Sequence, residues 1–208
     1  TMAEALAAGE IDAFCAGEPW GSVAVAGGFG APIAFGARIW QRGVEKVLAL
    51  REDFMEQNPG TIDALVRALD AAGAWCDDPA NRTELAELLA RPDYVAQPAS
   101  LLREALDGRL ALSASGDAAT IDDFLLFHRE AAGFPWRSQA LWIYSQLVRW
   151  GFLDHASDHQ GAAARVFRPD VYRRALARAA SPMPGASAKV EGALSVPLAV
   201  GSSRGKLT

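Results

Sequence analysis

The chain is poor in cysteine and has no long apolar runs. Its 208 residues include only two cysteines, Cys15 and Cys76. Two separated cysteines exclude a disulfide framework and a cysteine-based zinc site, and we interpret both as buried thiols. No apolar run reaches the roughly 18–20 residues that a membrane-spanning helix needs. The first residues also lack the basic and apolar regions of a signal peptide, and their helical pattern predicts a chain that begins inside a helix without a cap.

Basic charge is scarce as well. The formal net charge is −5, and duplex DNA or RNA is a poor partner because phosphate binding needs a basic surface. Only three of the 20 basic residues are lysines, namely Lys46, Lys189 and Lys206. Apolar residues, by contrast, make up 50% of the chain, which is enough for a buried core. We therefore expect a globular protein in which the position of each lysine is informative.

Apolar patterning predicts an α/β fold. Short apolar runs bounded by turn residues or charges predict β-strands at residues 11–16, 32–37 and 47–50, as in a sheet buried on both faces. Apolar residues three or four apart predict helices. These are expected at residues 2–8, 19–26, 59–76, 85–89, 98–106, 121–129, 138–150 and 169–180. The composition of residues 181–208, which is rich in proline, glycine, serine and alanine, predicts an extended tail. We expect Leu194, Val196 and Leu198 in this tail to dock on the body of the protein.

The segment Gly17-Glu18-Pro19-Trp20 is the first candidate site. It lies where a predicted strand leads into a predicted helix, and the unpaired N–H groups of a first helical turn favour an anion. Glycine at this junction lets a ligand approach the backbone closely. The alternative is a strand–helix turn that carries a buried tryptophan.

Lys46 is the second candidate. It precedes the predicted strand at residues 47–50, and a desolvated ammonium group beside a buried strand would attract a small anion. The alternative is a surface lysine that pairs with Glu45 or Glu52.

The remaining polar groups do not indicate a catalytic or metal site. His155 and His159 lie four residues apart, but their stretch is polar and loop-like, so we expect exposed histidines rather than metal ligands. His128 ends an apolar run, and we interpret it as a structural group at the end of a helix. Neither a phosphate-binding P-loop nor a hydrolase nucleophile elbow is present. We therefore predict a protein that is not an enzyme and that needs no cofactor and no metal.

Four segments carry a resemblance to a known family. They read EALAAGEIDAFCAGEPW (4–20), VEKVLALREDFMEQNP (44–59), FHREAAGFPWRSQALW (127–142) and FRPDVYRRA (167–175). They resemble segments of the nitrate/bicarbonate-binding type of ABC-transporter solute-binding proteins, in the nitrate-binding branch. The resemblance extends from Glu4 to about Gly192.

This resemblance implies an α/β fold that is part of a two-lobed clamshell of the periplasmic-binding-protein-like type 2 class. The chain would hold the helix-rich C-terminal half. The end of the second lobe is expected at residues 1–45, a mostly helical return to the first lobe at residues 46–180, and the tail at residues 181–208. A whole family member is about twice this length, so the resemblance indicates a fragment.

The resemblance also assigns ligand positions. Gly17 matches the glycine whose backbone N–H points at the anion, and Lys46 matches a position that is lysine in nitrate binders and acidic in bicarbonate binders. Because a lysine attracts a permanent anion, the expected ligand is nitrate or nitrite. Glu18, Pro19 and Trp20 are expected to shape the turn behind the site without touching the ligand.

The implied activity is binding, in which the lobes close on the anion and a partner recognises the closed form. The first hypothesis is the solute-binding component of an ABC transporter, located in the periplasm, with or without a membrane anchor, and with a permease as its partner. The alternative is a cytoplasmic nitrate or nitrite sensor that regulates an antiterminator protein. An enzyme on a similar clamshell is disfavoured, because it needs a histidine in the cleft.

Overall fold

The computed structural model describes residues 1–191, which divide into two compact units. Unit 1 contains Thr1–Ile39 and Cys76–Leu126. Unit 2 contains Trp40–Trp75 and the described residues from Phe127 onwards. The lobe boundaries predicted at residues 45/46 and 180/181 stay a prediction.

Helices dominate the described residues, and most of them lie within a few residues of the predicted bounds. The helices are α1 (Met2–Ala7), α2 (Trp20–Ala26), α3 (Gly36–Ile39), α4 (Glu52–Gln57), α5 (Pro59–Asp77), α6 (Arg82–Leu89), α7 (Ala99–Leu106), α8 (Arg137–Arg149), α9 (Ser157–Val166) and α10 (Pro169–Ala175), and the strands are β1 (Arg109–Ala111) and β2 (Ala118–Thr120). Within residues 1–191 no helix combines the length and the apolar character that crossing a membrane requires. The tail residues predicted to dock, Leu194, Val196 and Leu198, lie outside the described residues.

Helix α1 begins with a cap, so the prediction of an uncapped start is wrong. The Thr1 hydroxyl accepts a hydrogen bond from the Glu4 backbone N–H at 3.3 Å, and the Glu4 carboxylate accepts one from the Thr1 amino group. This reciprocal capping box satisfies donors that the first turn would otherwise leave unpaired.

The core of unit 1 surrounds β1. Leu110 at the centre of this strand is fully buried, and both α2 and α7 pack against the strand. The pair of helices α6 and α7 adds buried Leu85 and Leu102. Strands β1 and β2 form an antiparallel hairpin in which Leu110 lies opposite Ala119.

The helix predicted at residues 121–129 does not form, and the pairing of the hairpin extends to its first residue. The Ile121 N–H donates to the Gly108 carbonyl oxygen at 2.9 Å, so pairing continues past the end of β2. Asp123 then adopts a left-handed φ of 52°. The spacing of the apolar residues after Ile121 predicts a helix. This prediction is wrong because the spacing of neighbouring residues carries no information about a pairing partner that lies earlier in the chain.

The three strands predicted from the sequence are also wrong for the described chain. Residues 11–16 and 47–50 have no regular secondary structure, and residues 32–37 lead into α3. Among the described residues the sheet contains only β1 and β2, so no described neighbour pairs with these three segments. A strand requires a neighbouring backbone that donates and accepts hydrogen bonds, and apolar patterning does not supply that neighbour.

The core of unit 2 is aromatic. Phe134, Trp136 and Tyr172 are buried together with Leu176, and the Phe134 ring meets the other two rings edge-on at centroid distances of 4.9 and 5.4 Å. Helix α8 packs against α9. Helix α10 is joined to α5 by an ion pair between Arg174 and Asp63 at 2.8 Å.

Candidate functional site

Gly17 lies in unit 1, three residues before α2, and is half-buried. Its carbonyl oxygen accepts a hydrogen bond from the Trp20 N–H at 3.4 Å, which closes a turn before the helix. The Gly17 N–H itself donates to no residue in the described part of the chain. A backbone donor without a protein partner is what the predicted anion contact requires.

Glu18 places a negative charge at the first turn of α2. Its Oε2 atom accepts a hydrogen bond from the Ser22 backbone N–H at 3.3 Å. A Cβ atom at position 21 would lie 3.0 Å from Glu18 Oε1, so Gly21 leaves room for the carboxylate. Pro19 is buried and Trp20 is half-buried at the start of the helix. Because the carboxylate offsets the positive end of α2, the amides of this turn are not an unopposed anion site, and the Gly17 amide is the better candidate donor.

Lys46 lies in unit 2, and its side chain is 82% exposed. Its ammonium group pairs with the carboxylate of Glu45, at 2.5 Å between Nζ and Oε1. The described structure therefore has the surface ion pair that the sequence left as the alternative, and the ammonium is not desolvated. An ion pair between exposed neighbours is weak, so a ligand anion can compete with Glu45 for this group.

The histidines do not gather into a metal site within residues 1–191, and no group of three or more metal-ligating side chains occurs in that range. Helix α9 begins at Ser157, so the stretch predicted as a loop is partly helical and carries His159. The His159 Nδ1 atom lies 3.1 Å from the Asp154 carbonyl oxygen, and the His155 ring lies 6.5 Å from the Tyr144 ring. The apolar pattern did not predict this helix, because the residues in the first turn of α9 are polar.

A polar cluster around Asp70 of α5 was missed by the sequence reasoning. The Asp70 carboxylate accepts hydrogen bonds from the Tyr172 hydroxyl at 3.1 Å and from the Ser181 hydroxyl, and it lies 3.4 Å from His128 Nε2. Burial and the neighbouring carboxylate raise the pKa of Tyr172, so the hydroxyl stays protonated and donates. The cluster joins α5, α10 and two loops of unit 2. His128 lies in this cluster and not at the end of the helix predicted at residues 121–129, which does not form. Its members are scattered along the chain, and no spacing in the sequence indicates them.

A partly buried ion pair anchors the segment that leads to Lys46. The Arg42 guanidinium donates two hydrogen bonds to the Glu130 carboxylate, at 2.6 and 2.9 Å, and the two side chains are 12% and 18% exposed. Both residues have left-handed backbones, with φ of 63° and 56°. Beside them the Trp40 ring lies against Trp142 at a centroid distance of 3.9 Å. These contacts hold residues 40–42 to the body of unit 2.

Comparisons with known proteins identify the sequence family. Residues 1–90 match the NMT1-like family. The chain is 38% identical over 174 residues to the nitrate import ATP-binding protein NrtC of Synechocystis sp. PCC 6803, covering 84% of this chain and 26% of that protein. It is 32% identical over 182 residues to the bicarbonate-binding protein CmpA of Synechococcus elongatus PCC 7942, covering 84% of this chain and 40% of that protein. The chain thus spans less than half the length of these curated relatives.

A solved structure shares the fold. It is the crystal structure of the periplasmic nitrate-binding protein NrtA from Synechocystis PCC 6803, which matches with a TM-score of 0.86 at 24% sequence identity. The match covers 91% of this chain and 51% of that chain. It confirms the predicted fold class, part of a periplasmic-binding-protein clamshell. Together, the sequence matches and the shared fold confirm the predicted resemblance to the solute-binding proteins for nitrate and bicarbonate.

Proposed function

We propose that this chain binds nitrate or nitrite as part of the solute-binding component of an ABC transporter. The observation that carries the proposal is Lys46, a lysine at the position that the family resemblance assigns to the ligand. Its ammonium group is exposed, and the contact described for it is the weak surface pair with Glu45. The basic charge that an anion site needs is therefore present and accessible to a ligand.

The identity of residue 46 is also the basis for choosing between anions. Relatives of this chain bind nitrate in one case and bicarbonate in another, so family membership alone does not choose. Nitrate carries a permanent charge and can only accept hydrogen bonds, and the lysine ammonium has three donors and no acceptor. An acidic residue at position 46 would instead repel a permanent anion. Lys46 therefore favours nitrate or nitrite over bicarbonate.

The Gly17 amide is the second group that we assign to the ligand. It donates no hydrogen bond within the described residues, and glycine has no Cβ atom to keep a ligand away from the backbone. Glu18, Pro19 and Trp20 would hold the turn that orients this amide. Gly17 therefore supplies a neutral donor, whereas Lys46 supplies the charge.

Transport is the biological role that the comparisons favour. NrtC is a nitrate import protein, and NrtA is described as periplasmic. We therefore place this chain in the periplasm, where the closed, anion-bound form would be recognised by a membrane permease. The likeness to a periplasmic nitrate-binding protein favours this role over a cytoplasmic sensor that regulates an antiterminator.

The test is a charge reversal at Lys46 in the intact gene product that contains this chain. Losing a charge-assisted hydrogen bond costs about 1.5–3 kcal/mol, so Lys46→Glu should weaken nitrate binding by about tenfold or more in isothermal titration calorimetry. Bicarbonate should bind the unchanged protein more weakly than nitrate.

Arg51→Glu is the matched control, because Arg51 is also exposed, is paired with an acidic neighbour and lies five residues away. It changes the net charge equally but should alter nitrate affinity by no more than about twofold, since exposed charges are screened by salt. If Lys46→Glu and Arg51→Glu have the same small effect, Lys46 is not a ligand residue.

A further inference from the structure

Helix α8 begins without a cap from its own sequence. The side chain of Trp136, its N-cap residue, has no oxygen atom, and the first turn, which contains Arg137, Ser138 and Gln139, has no acidic residue. The N–H groups of a first helical turn have no partner within the helix, so they need acceptors from elsewhere. These partners come from residues 181–191, which we call the strap.

The end of the strap supplies the missing cap. The Ser187 carbonyl oxygen accepts a hydrogen bond from the Arg137 N–H at 2.9 Å. The Glu191 carboxylate accepts one from the Ser138 hydroxyl at 2.6 Å, and the same hydroxyl accepts one from the Lys189 N–H at 3.0 Å. A carboxylate near the start of a helix also stabilises the helix dipole. Helix α8 is therefore capped by a segment that lies far from it in the sequence.

Arg173 of α10 holds the middle of the strap. Its guanidinium group donates hydrogen bonds to the carbonyl oxygens of residues 184–186 at 2.6 to 3.3 Å, and to the Ser187 hydroxyl at 3.0 Å. The same group lies over the Phe134 ring, 4.9 Å from its centroid. A guanidinium has five donors in a fixed planar arrangement, so one side chain can bind several consecutive carbonyls. Arg173 is thus the residue that attaches the strap to α10.

Polar contacts, and not regular secondary structure, fix the strap to unit 2. The strap contains no helix and no strand. At its start the Ser181 hydroxyl donates to the Asp70 carboxylate, and at its end Lys189 and Glu191 form an ion pair at 2.7 Å. The Lys189 Nζ atom lies 5.9 Å from the centroid of the Trp136 ring. Segments without regular secondary structure open at a lower free energy than core helices.

We propose that the strap is a releasable cap, which detaches as one unit while the rest of unit 2 stays folded. When it is attached, it completes the start of α8 and lies against Trp136. When it is detached, the Arg137 N–H and the Ser138 hydroxyl lose their partners, and the first turn of α8 frays. The two events share one free energy, so anything that binds only the detached strap also loosens α8. This conformational device does not depend on which anion the protein binds.

The scarcity of lysine supplies the first test. The protease Lys-C cuts after lysine, and Lys46→Arg together with Lys206→Arg leaves Lys189 as the only lysine of the chain. The Lys189 side chain is 8% exposed, so cutting requires the strap to detach. The folded chain should be cut at least about tenfold more slowly than a synthetic peptide of residues 184–196. Equal rates would overturn the proposal, because the strap would then not be attached.

Urea separates detachment of the strap from unfolding of the whole chain. Detachment exposes little surface, so the free energy of opening obtained from Lys-C cleavage should fall less steeply with urea than the free energy of unfolding measured by circular dichroism. Equal slopes would mean that Lys189 is cut only after the whole chain unfolds. The strap would then not be a separate unit, and the proposal would be wrong.

A pair of variants tests the attachment to α10. Arg173→Ala should accelerate cleavage after Lys189 by about tenfold or more, because several hydrogen bonds from a charged group are lost. Arg174→Ala is the matched control, since this neighbouring arginine is paired with Asp63 instead of the strap. It should change the cleavage rate by no more than about twofold. Equal acceleration by both variants would show that Arg173 does not hold the strap.

Hydrogen exchange of the Arg137 amide, measured by nuclear magnetic resonance, tests the connection to α8. In Arg173→Ala this amide should exchange faster by about the same factor as the cleavage after Lys189, whereas amides in the middle of α5 should change by no more than about twofold. An unchanged Arg137 amide would mean that the strap detaches without freeing α8. Equal acceleration in α5 would mean that unit 2 opens as a whole. Either result would overturn the proposal.

Discussion

At the scale of single residues, the Arg42–Glu130 pair is a two-pronged ion pair in unit 2. The Arg42 guanidinium donates two parallel hydrogen bonds to the Glu130 carboxylate, and little of either side chain is exposed to water. Hydrogen bonds between two charged groups in this geometry are stronger than those between neutral groups. The left-handed backbones at both residues add strain that the pair helps to maintain.

The first prediction at this scale is that Glu130→Gln destabilises the chain by about 1–3 kcal/mol, since the Arg42 guanidinium loses its charge-assisted hydrogen bonds to the Glu130 carboxylate. Urea unfolding followed by circular dichroism measures this change. The matched control is Asp53→Asn, which removes a carboxylate from the exposed Arg51–Asp53 pair and should cost less than about 1 kcal/mol. Equal effects of the two variants would contradict the assigned role of the Arg42–Glu130 pair.

At the scale of elements, the β1–β2 hairpin depends on one glycine. Gly108 has a φ of 71°, and a Cβ atom at this position would lie 2.4 Å from the Ile121 carbonyl oxygen. Two separate costs therefore oppose any side chain here, namely the left-handed backbone and the collision with a backbone atom. The buried Leu110 follows two residues later, so a shift at Gly108 would disturb the core of unit 1.

The prediction for this element compares two glycine substitutions. Gly9 also has a φ of 71°, but no atom lies within 4 Å of a Cβ placed there. Gly9→Ala should cost about 1–2 kcal/mol from backbone conformation alone, and Gly108→Ala should cost at least about 1 kcal/mol more because of the collision. Thermal unfolding of both variants checks the difference. A smaller loss for Gly108→Ala than for Gly9→Ala would show that the Ile121 carbonyl does not constrain the hairpin.

At the scale of the whole molecule, anion binding depends on how much of the binding protein this chain contains. The chain has a TM-score of 0.86 to the nitrate-binding NrtA structure, yet it covers 51% of that chain. The two residues that we assign to the ligand fall in different units, Gly17 in unit 1 and Lys46 in unit 2. Neither a single amide nor a single exposed ammonium holds an anion tightly against water.

We therefore predict that the 208-residue chain alone binds nitrate more weakly than micromolar, in calorimetry at physiological salt. The reason is that the chain corresponds to about half of the matched binding protein, and the remaining ligand contacts are expected in the other half. Whole Synechocystis NrtA, titrated under the same conditions, is the positive control. Micromolar binding by the 208-residue chain would mean that it contains a complete site.

The sequence by itself indicated most of the helices and the resemblance to the solute-binding proteins, and it supplied the candidate ligand residues as predictions. Consecutive side chains encode the helical repeat, so α2, α5, α8 and the start of α10 lie close to their predicted bounds. Short local motifs around Gly17 and Lys46 carried the resemblance that the comparisons confirmed. These properties are readable because each depends on residues that are close together in the chain.

The tertiary structure alone decided which distant groups meet. Arg42 and Glu130 are 88 residues apart, and Asp70 and Tyr172 are 102 residues apart. Neither pair could be predicted from the spacing of residues in the sequence. The same reason explains the predicted strands. Apolar patterning at residues 47–50 describes side chains suited to a buried sheet, but pairing depends on a second backbone, and the described chain provides none. Local sequence therefore specifies what a segment is suited to form, and the path of the rest of the chain decides whether it forms.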